Sequence, residues 1–467
     1  MIKQHSFLDM GAEFYSALPA NPPADLALII DNRELREQIG LTDEDLNKIQ
    51  SYCLNPNAND FDTFAMVYAG HQFGQFVNQL GDGRGIFLGQ TNHDYDLHLK
   101  GAGKTPYSRF GDGRAVLRSS IREYIASEVM NNLNIPSTRA VALFISEEKV
   151  LRDSYESSAV LLRSSQSHIR FGHFEFFHYR NKSKQVKKLA DYAIENYSLF
   201  NESAEEPYVN FFQTIVQKTA QMISKWQGVG FCHGVMNTDN FSILGETFDY
   251  GPYAFMESLN PEFICNTSDY EGRYRYSNQP YIGLWNCSAL GEALKTLIPE
   301  AKIEEILKTY EQEFSSNLRK IYLDKLGLTE HQPGDDELIQ DYLSLINNEN
   351  LDYTQSFRSL VKIIQEEDLI EGSGSLEKWK KRFLKRHEFE KSDLRDRLDM
   401  MKSINPYITP KNFQIQKVID AVEKGNYEAL HSFCDAFKNP FEENSKTQVF
   451  DEVPGENEAN IRTSCSS

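Results

Sequence analysis

The sequence predicts an α+β chain of two lobes, the first built on a mainly antiparallel sheet carrying one helix and the second mainly helical. Three observations predict it. Strand-length runs at residues 86–90, 96–100, 139–145 and 159–163 crowd the first third of the chain, separated by glycine-rich turns and a single helical pattern. Helical periodicity takes over at residue 208 and dominates from 285 to about 437, broken near Gly334 and Gly372. The 467 residues, with 30 Phe and 23 Tyr, supply the apolar bulk for two or three core-forming units.

Composition narrows the function. A formal charge of -19 and a pI near 5.1 argue against nonspecific binding to nucleic acid or anionic membranes. No apolar run approaches a membrane span, and residues 1–10 lack the apolar core of a secretory signal, so a soluble cytoplasmic protein is expected. Cys53, Cys232, Cys265, Cys287, Cys434 and Cys465 form no Cys-x-x-Cys pair, which points away from a zinc site or a disulfide framework. Cys465, in the small polar stretch Thr463-Ser-Cys-Ser-Ser467, is expected to be an exposed, mobile thiol.

Residues 1–55 hold a Pro-rich turn at 19–23 and a helix starting near the cap-like Thr42, and are expected to pack on the lobe that follows, 56–205. That lobe opens with Tyr68-Ala-Gly-His-Gln-Phe-Gly74 and Gly81-Asp-Gly-Arg-Gly85. Glycines at alternate positions let backbone N–H groups approach phosphate, and Arg84 adds a charged donor; a tight hairpin turn explains the same text. In Asp96-Leu-His-Leu-Lys100, alternation sets Leu97 and Leu99 on one face and His98 and Lys100 on the other. The Gly101-Ala-Gly-Lys-Thr-Pro run that follows lacks P-loop spacing, so Lys104 is the weaker phosphate candidate.

The helix over 119–133 buries Ile121, Ile125, Val129 and Leu133 at four-residue spacing, and Glu123 lies off that stripe. It is read either as the partner of Lys100 or as a solvated glutamate. Arg163, at a strand end, and Arg170 are suited to bidentate phosphate contact or to surface ion pairing. Residues 181–207 are polar and charged, contain one short helical pattern and read as the connection to a helical lobe, 206–440, whose first helix over 208–228 stops at Gly228 and Gly230. The tail, 441–467, is acidic and expected to be loosely attached.

The chemistry centres on His233-Gly-Val-Met-Asn-Thr-Asp-Asn240 and Phe248-Asp-Tyr-Gly251. Magnesium takes hard oxygen ligands, typically one or two carboxylates plus substrate phosphates, and Asn240 with Asp249 supplies that minimal set across an expected hairpin whose first strand is 241–244. The spacing resembles the catalytic loop and Asp-Phe-Gly segment of protein kinases, so the lobes are expected to be kinase-like. The kinase base position holds Val235, which cannot accept a proton; Asp239 is the nearby carboxylate. A polar turn joined to a hairpin is the plain alternative.

Together these segments, with Leu99-Lys-Gly-Ala-Gly103, Thr105-Pro-Tyr-Ser-Arg109 and Gly111-Asp-Gly-Arg-Ala-Val-Leu-Arg-Ser-Ser-Ile-Arg-Glu123, resemble the selenoprotein O (SelO) family of kinase-fold protein adenylyltransferases. The resemblance implies transfer of AMP from ATP, bound in a flipped orientation, to Ser, Thr or Tyr hydroxyls of proteins. It further implies that Gly81, Gly83, Arg84, Lys100, Asp112, Gly113, Arg163, Arg170 and Asp249 contact ATP and that Glu123 holds Lys100. Asp239 would be the proton acceptor, and Asn240 with Asp249 would hold Mg2+ or Mn2+. It also implies a disulfide between Cys465 and Cys265, with Cys287 as the competing partner. UTP-dependent uridylyl transfer and a noncatalytic, ATP-binding pseudokinase scaffold are the alternatives.

Overall fold

The computed structural model describes residues 2–56, 60–152, 154–365, 374–452, 461, 463 and 464. Its N-terminal region is an antiparallel sheet of β1 (Tyr15–Ala17), β2 (Ala27–Asp31), β3 (Phe64–Gln72), β4 (Gln75–Gly81), β5 (Gly85–Gln90), β6 (Asp96–Lys100), β7 (Ala115–Val116), β8 (Arg139–Leu151) and β9 (Tyr155–Ser165). The order across the sheet is β1-β3-β5-β6-β9-β8-β2, with β4 added to β3 and β7 to β9.

Alternation along β6 decides what the sheet faces. Leu97 and Leu99 enter a core shared with Leu35 of α1 (Arg33–Gln38) and with Leu46 and Ile49 of α2 (Asp43–Leu54). Thr42 and Asp45 close a capping box on α2, worth about 1 kcal/mol. On the opposite face, the register sets His98 against Arg163 of β9, and Lys100 reaches α3 (Leu117–Asn132). Ile121, Ile125, Val129 and Leu133 are buried as the four-residue spacing predicts, in one core with Phe87 and Leu161.

Three expectations need correction. The glycine-rich text at 68–74 is mostly strand: β3 and β4 form a hairpin whose turn is Phe73-Gly74, with a register shift between Tyr68 and Gly70. The charged connection, expected to hold one short helical pattern, is mostly the 14-residue α5 (Ser183–Asn196), preceded by α4 (Phe171–His178) and packed into the core rather than bridging the lobes. Val186, Leu189, Ala190, Ala193 and Ile194 form a buried stripe on α5 that the surrounding lysines obscure in the sequence, and Tyr192 shares a hydrogen bond with Ser6 at 2.7 Å. The strand expected at 241–244 survives only as single bridges, Phe241 to Thr247 and Ser242 to Arg170. Its backbone is committed elsewhere: Phe241 O accepts from Phe171 N at 3.0 Å and Ile243 N donates to Ile169 O at 3.2 Å.

The C-terminal region is helical. α6 (Pro207–Val229) starts on a proline and ends at Gly230, whose φ of 71° is the left-handed stop. Gly228 lies inside the helix, where its missing Cβ makes room for Ile321. The short β10 (Phe231–Cys232) and β11 (Ala254–Phe255) pair and bracket the 233–251 loop. α7 (Gln279–Leu294) and α8 (Glu300–Lys325) join α6 in the main core, and α9 (Asp335–Asn348), α10 (Tyr353–Gln365), α11 (Ser375–His387) and α12 (Leu394–Ile404) build a second one. There Trp379 stacks on Tyr342 with ring centroids 4.0 Å apart and donates to Leu338 O. Gly334 caps α9; the break expected at Gly372 lies outside the described residues.

α13 (Asn412–Glu423), α14 (Glu428–Ala436) and α15 (Ser445–Gln448) finish the chain, and here the described part of the tail is attached rather than loose. Phe441 and Phe450 flank the acidic run and pack on the core, Phe450 at 4.9 Å from the ring of Phe433. Farther on, Thr463 donates its hydroxyl to Cys265 O at 2.8 Å and accepts from Thr267 N at 2.9 Å. Cys465 lies outside the described residues, so its pairing with Cys265 does too; Cys265 and Cys287 are buried free thiols. Among the described residues no helix is long and apolar enough to cross a membrane.

Candidate active site

Five charged side chains from five separate stretches meet in one cleft. Lys100 ends β6, Glu123 sits mid-α3, Arg163 lies near the end of β9, Arg170 precedes α4, and Asp249 follows the 233–248 loop. Lys100 donates to Glu123 Oε2 and, at 3.2 Å, to Asp249 Oδ1. Arg163 donates to Glu123 Oε1 at 3.0 Å and to Asp249 Oδ1, and its Nε donates to His98 Nδ1 at 3.1 Å. Arg170 reaches Asp249 Oδ2 at 2.5 Å and Asp239 O at 2.8 Å.

Electrostatics follow from this packing. Burial opposes charge on Asp249, but Arg163, Arg170 and Lys100 outweigh it and hold its carboxyl well below the usual range. Burial lowers the Lys100 ammonium against the pull of Asp249 and Glu123. Asp249 also adopts φ 54°, a left-handed backbone that costs a non-glycine residue on the order of 1 kcal/mol, as strained positions at functional sites do. Glu123 is only 4% exposed, so the solvated reading of this residue is wrong.

The roof of the cleft is the turn between β4 and β5 with the 101–114 segment packed over it. Gly81 takes φ 149°, and a Cβ there would stand 2.4 Å from the Tyr107 ring. Thr105 donates to Asp82 O at 2.8 Å and Ser108 to Gly83 O. The glycines are thus demanded first by this close approach, which leaves Arg84 at the cleft wall. Asp112 and Gly113 lie on the same segment; Asp112 is paired with Arg152 by contacts of 2.7 and 3.0 Å and is partly exposed.

The floor is the 233–240 loop. His233 Nε2 donates to Phe248 O at 3.0 Å and its Nδ1 accepts from Val235 N at 3.3 Å, so one neutral imidazole ties the loop to the residue before Asp249. Burial depresses its pKa to about 4. The unfolded ring titrates near 6.5, so its stabilising contribution is complete above that pH and is lost as pH falls towards 4. His387 and His173 are likewise held down, to about 4 and about 3. Thermal melting is expected to drop between pH 7 and pH 5, each of these histidines costing on the order of 2 kcal/mol at pH 5 and the raised carboxyls of Asp82 and Asp239 returning part of it; a melting temperature that rises on acidification across that range would contradict the assignment.

Asp239 is buried, which pushes its carboxyl up to about 6 despite a hydrogen bond from Gln72. The amide nitrogen of Asn240 is spent on Val235 O at 3.0 Å, leaving its oxygen as the group to accept or ligate. Among the described residues no cluster of three or more His, Cys, Asp or Glu is arranged for a metal. The amide oxygen of Asn240 and the carboxylate of Asp249 are nonetheless the hard donors that Mg2+ or Mn2+ takes when phosphate and water complete its shell, so the residues fit such an ion.

The residues expected to contact nucleotide, proton or metal line this one cavity of about 740 Å3: Gly81, Gly83, Arg84, Lys100, Asp112, Gly113, Arg163, Arg170, Asp239, Asn240 and Asp249. Lys104 does not line it. Sequence reasoning missed Asp82, Arg152 and Gln72. Asp82 is buried beneath the arginines, 3.8 Å from Arg170, and burial pushes its carboxyl up to about 6. Its place between two glycines of the turn is the one local signal that marks it.

Comparison with known proteins identifies the family. The family model described as protein adenylyltransferase SelO matches residues 3–438. The chain is 39% identical to the protein nucleotidyltransferase YdiU of Vibrio parahaemolyticus, covering 99% of this chain and 98% of that one. It is 40% identical to the protein of that name from Vibrio cholerae, over 99% and 98% of the two chains. With the one from Pseudomonas entomophila it is 43% identical, over 87% and 86%. With the model spanning most of the chain and relatives matched over nearly their full length, the chain belongs to the protein adenylyltransferase SelO family.

Proposed function

We propose that the cleft binds ATP between two kinase-like lobes, 56–205 and 206–440, and that the enzyme transfers AMP to Ser, Thr or Tyr hydroxyls of proteins. The observation that carries this reading is the convergence of Lys100, Arg163 and Arg170 on Asp249, beside a loop that offers Val235 at the kinase base position and Asp239 four residues on. Three cations in a largely buried pocket suit a polyphosphate, whose charge they would share with Asp249 and Glu123.

In this reading Lys100, Arg163, Arg170 and Arg84 bind the triphosphate, the backbone at Gly81, Gly83 and Gly113 gives it room, and Asp112 and Asp249 also touch the nucleotide. Asn240 and Asp249 would hold Mg2+ or Mn2+, which supplies charge neutralisation on the phosphates when bound. The substrate hydroxyl oxygen attacks the α-phosphorus while Asp239 takes its proton. The bond to the bridging oxygen between the α- and β-phosphorus breaks, and pyrophosphate leaves. Glu123 keeps Lys100 and Arg163 in place.

Product analysis tests this. Transfer should release pyrophosphate in step with modification of the protein. ADP release would mean phosphoryl transfer, modification from UTP in preference to ATP would mean uridylyl transfer, and nucleotide binding without any product would mean a scaffold.

A further inference from the structure

Asp239 is gripped from one strand end. Its Oδ2 accepts from Gln72 Nε2 at 3.1 Å. Its Oδ1 has no hydrogen-bond partner and lies against Gly70, where a Cβ would stand 2.7 Å from it. The residues on either side are fixed separately. His71 N donates to Thr238 Oγ1 at 2.7 Å, the Thr238 hydroxyl donates to Glu175 Oε2, and Glu175 Oε1 accepts from His71 Nδ1. Phe73 N donates to Asn237 Oδ1 at 3.2 Å. Residues 71, 72 and 73 at the end of β3 are therefore each bonded to a residue of 237–239.

The support behind this contact is rigid. Glu175 and Thr238 are fully buried, and the His71 ring stands 5.1 Å from both Phe76 and Trp285. Among the described residues the only side-chain donor to the Asp239 carboxylate is a neutral amide, which orients it without adding positive charge. A charged alternative is Arg170, already bonded to the Asp239 carbonyl and to Asp249. A carboxylate free to rotate towards that guanidinium would be drawn into the phosphate-binding set.

We propose that Gln72 and Gly70 are positioning residues for Asp239, with the His71–Glu175–Thr238 chain fixing the strand end against the loop. The inference rests on Asp239 being the proton acceptor. Gln72→Met keeps the side-chain length and removes the donor, and Gly70→Ala pushes on Oδ1 from the other side. Each is expected to lower kcat on the order of 10- to 100-fold, the cost of misplacing a reacting group by a fraction of an ångström to an ångström. For Gln72→Met, melting temperature and affinity for a nonhydrolysable ATP analogue should stay at the level of the unmodified protein; Gly70→Ala, which crowds a buried side chain, should keep analogue affinity but melt somewhat lower.

A double-mutant cycle separates positioning from a general defect. In an Asp239→Asn background, Gln72→Met should cause no further loss, because the group it acts through is gone. Full additivity, an unchanged kcat in both single variants, or a joint fall in melting temperature and analogue affinity would overturn the proposal. Full activity of Asp239→Asn alone would instead remove the reading on which it rests.

Discussion

Asp249→Asn is expected to abolish metal-dependent nucleotide binding and to reduce protein modification by roughly 10³-fold or more. The same carboxylate compensates Lys100, Arg163 and Arg170, all buried or nearly so, and it is only 19% exposed itself. Removing its charge leaves those cations to Glu123 and Asp82, and breaking a buried ion pair from one side costs about 3 kcal/mol or more. Calorimetry should therefore show a lower melting temperature alongside lost binding. A variant that keeps its melting temperature and still binds nucleotide with metal would contradict the role given to Asp249.

Asp239→Asn should behave differently. The side chain keeps its shape, and the Arg170 contact is to the backbone carbonyl of Asp239, so the nucleotide site is left standing. Affinity for an ATP analogue is expected to be retained while kcat falls on the order of 10²- to 10⁴-fold, the range for losing a general base. The pH dependence has a definite sign. With its carboxyl pushed up to about 6 by burial, Asp239 is protonated below that pH and cannot accept a proton, so activity should rise through pH 6 and level off above it. Rate measurements across pH 5 to 8 in the two proteins check both statements; equal rates, or a profile flat through pH 6, would rule out Asp239 as the acceptor.

How much of this can be read from the sequence depends on the range of the interaction. Leu97 and Leu99 face one way and His98 and Lys100 the other because a strand alternates with period two, and that is visible in five letters. The α3 stripe and the Gly230 stop are visible for the same local reason. α5 is visible only as a short helical pattern, since a helix with many lysines looks like part of a linker until its buried stripe is seen. The strand expected at 241–244 fails because its backbone bonds to residues 169–171, a competition no local propensity encodes.

The site divides along the same line. Lys100, Glu123, Asn240 and Asp249 are identifiable because their spacing matches a known arrangement, whereas Gln72 contacts Asp239 from 167 residues away and Arg152 meets Asp112 from 40. Neither has a local pattern to announce it. Phe441 and Phe450 likewise look like residues of a solvated tail until the core against which they pack, with Phe433 of α14 beside Phe450, has formed.

The central claim is that the cleft presents the α-phosphorus of ATP, and not the terminal one, to a protein hydroxyl. Parallel reactions with ATP labelled at the α-phosphate and at the γ-phosphate, followed by isolation of the modified protein, measure it directly. The account predicts label on protein from the α-position alone, sensitive to Asp239→Asn. Label carried over from the γ-position would show phosphoryl transfer and contradict it.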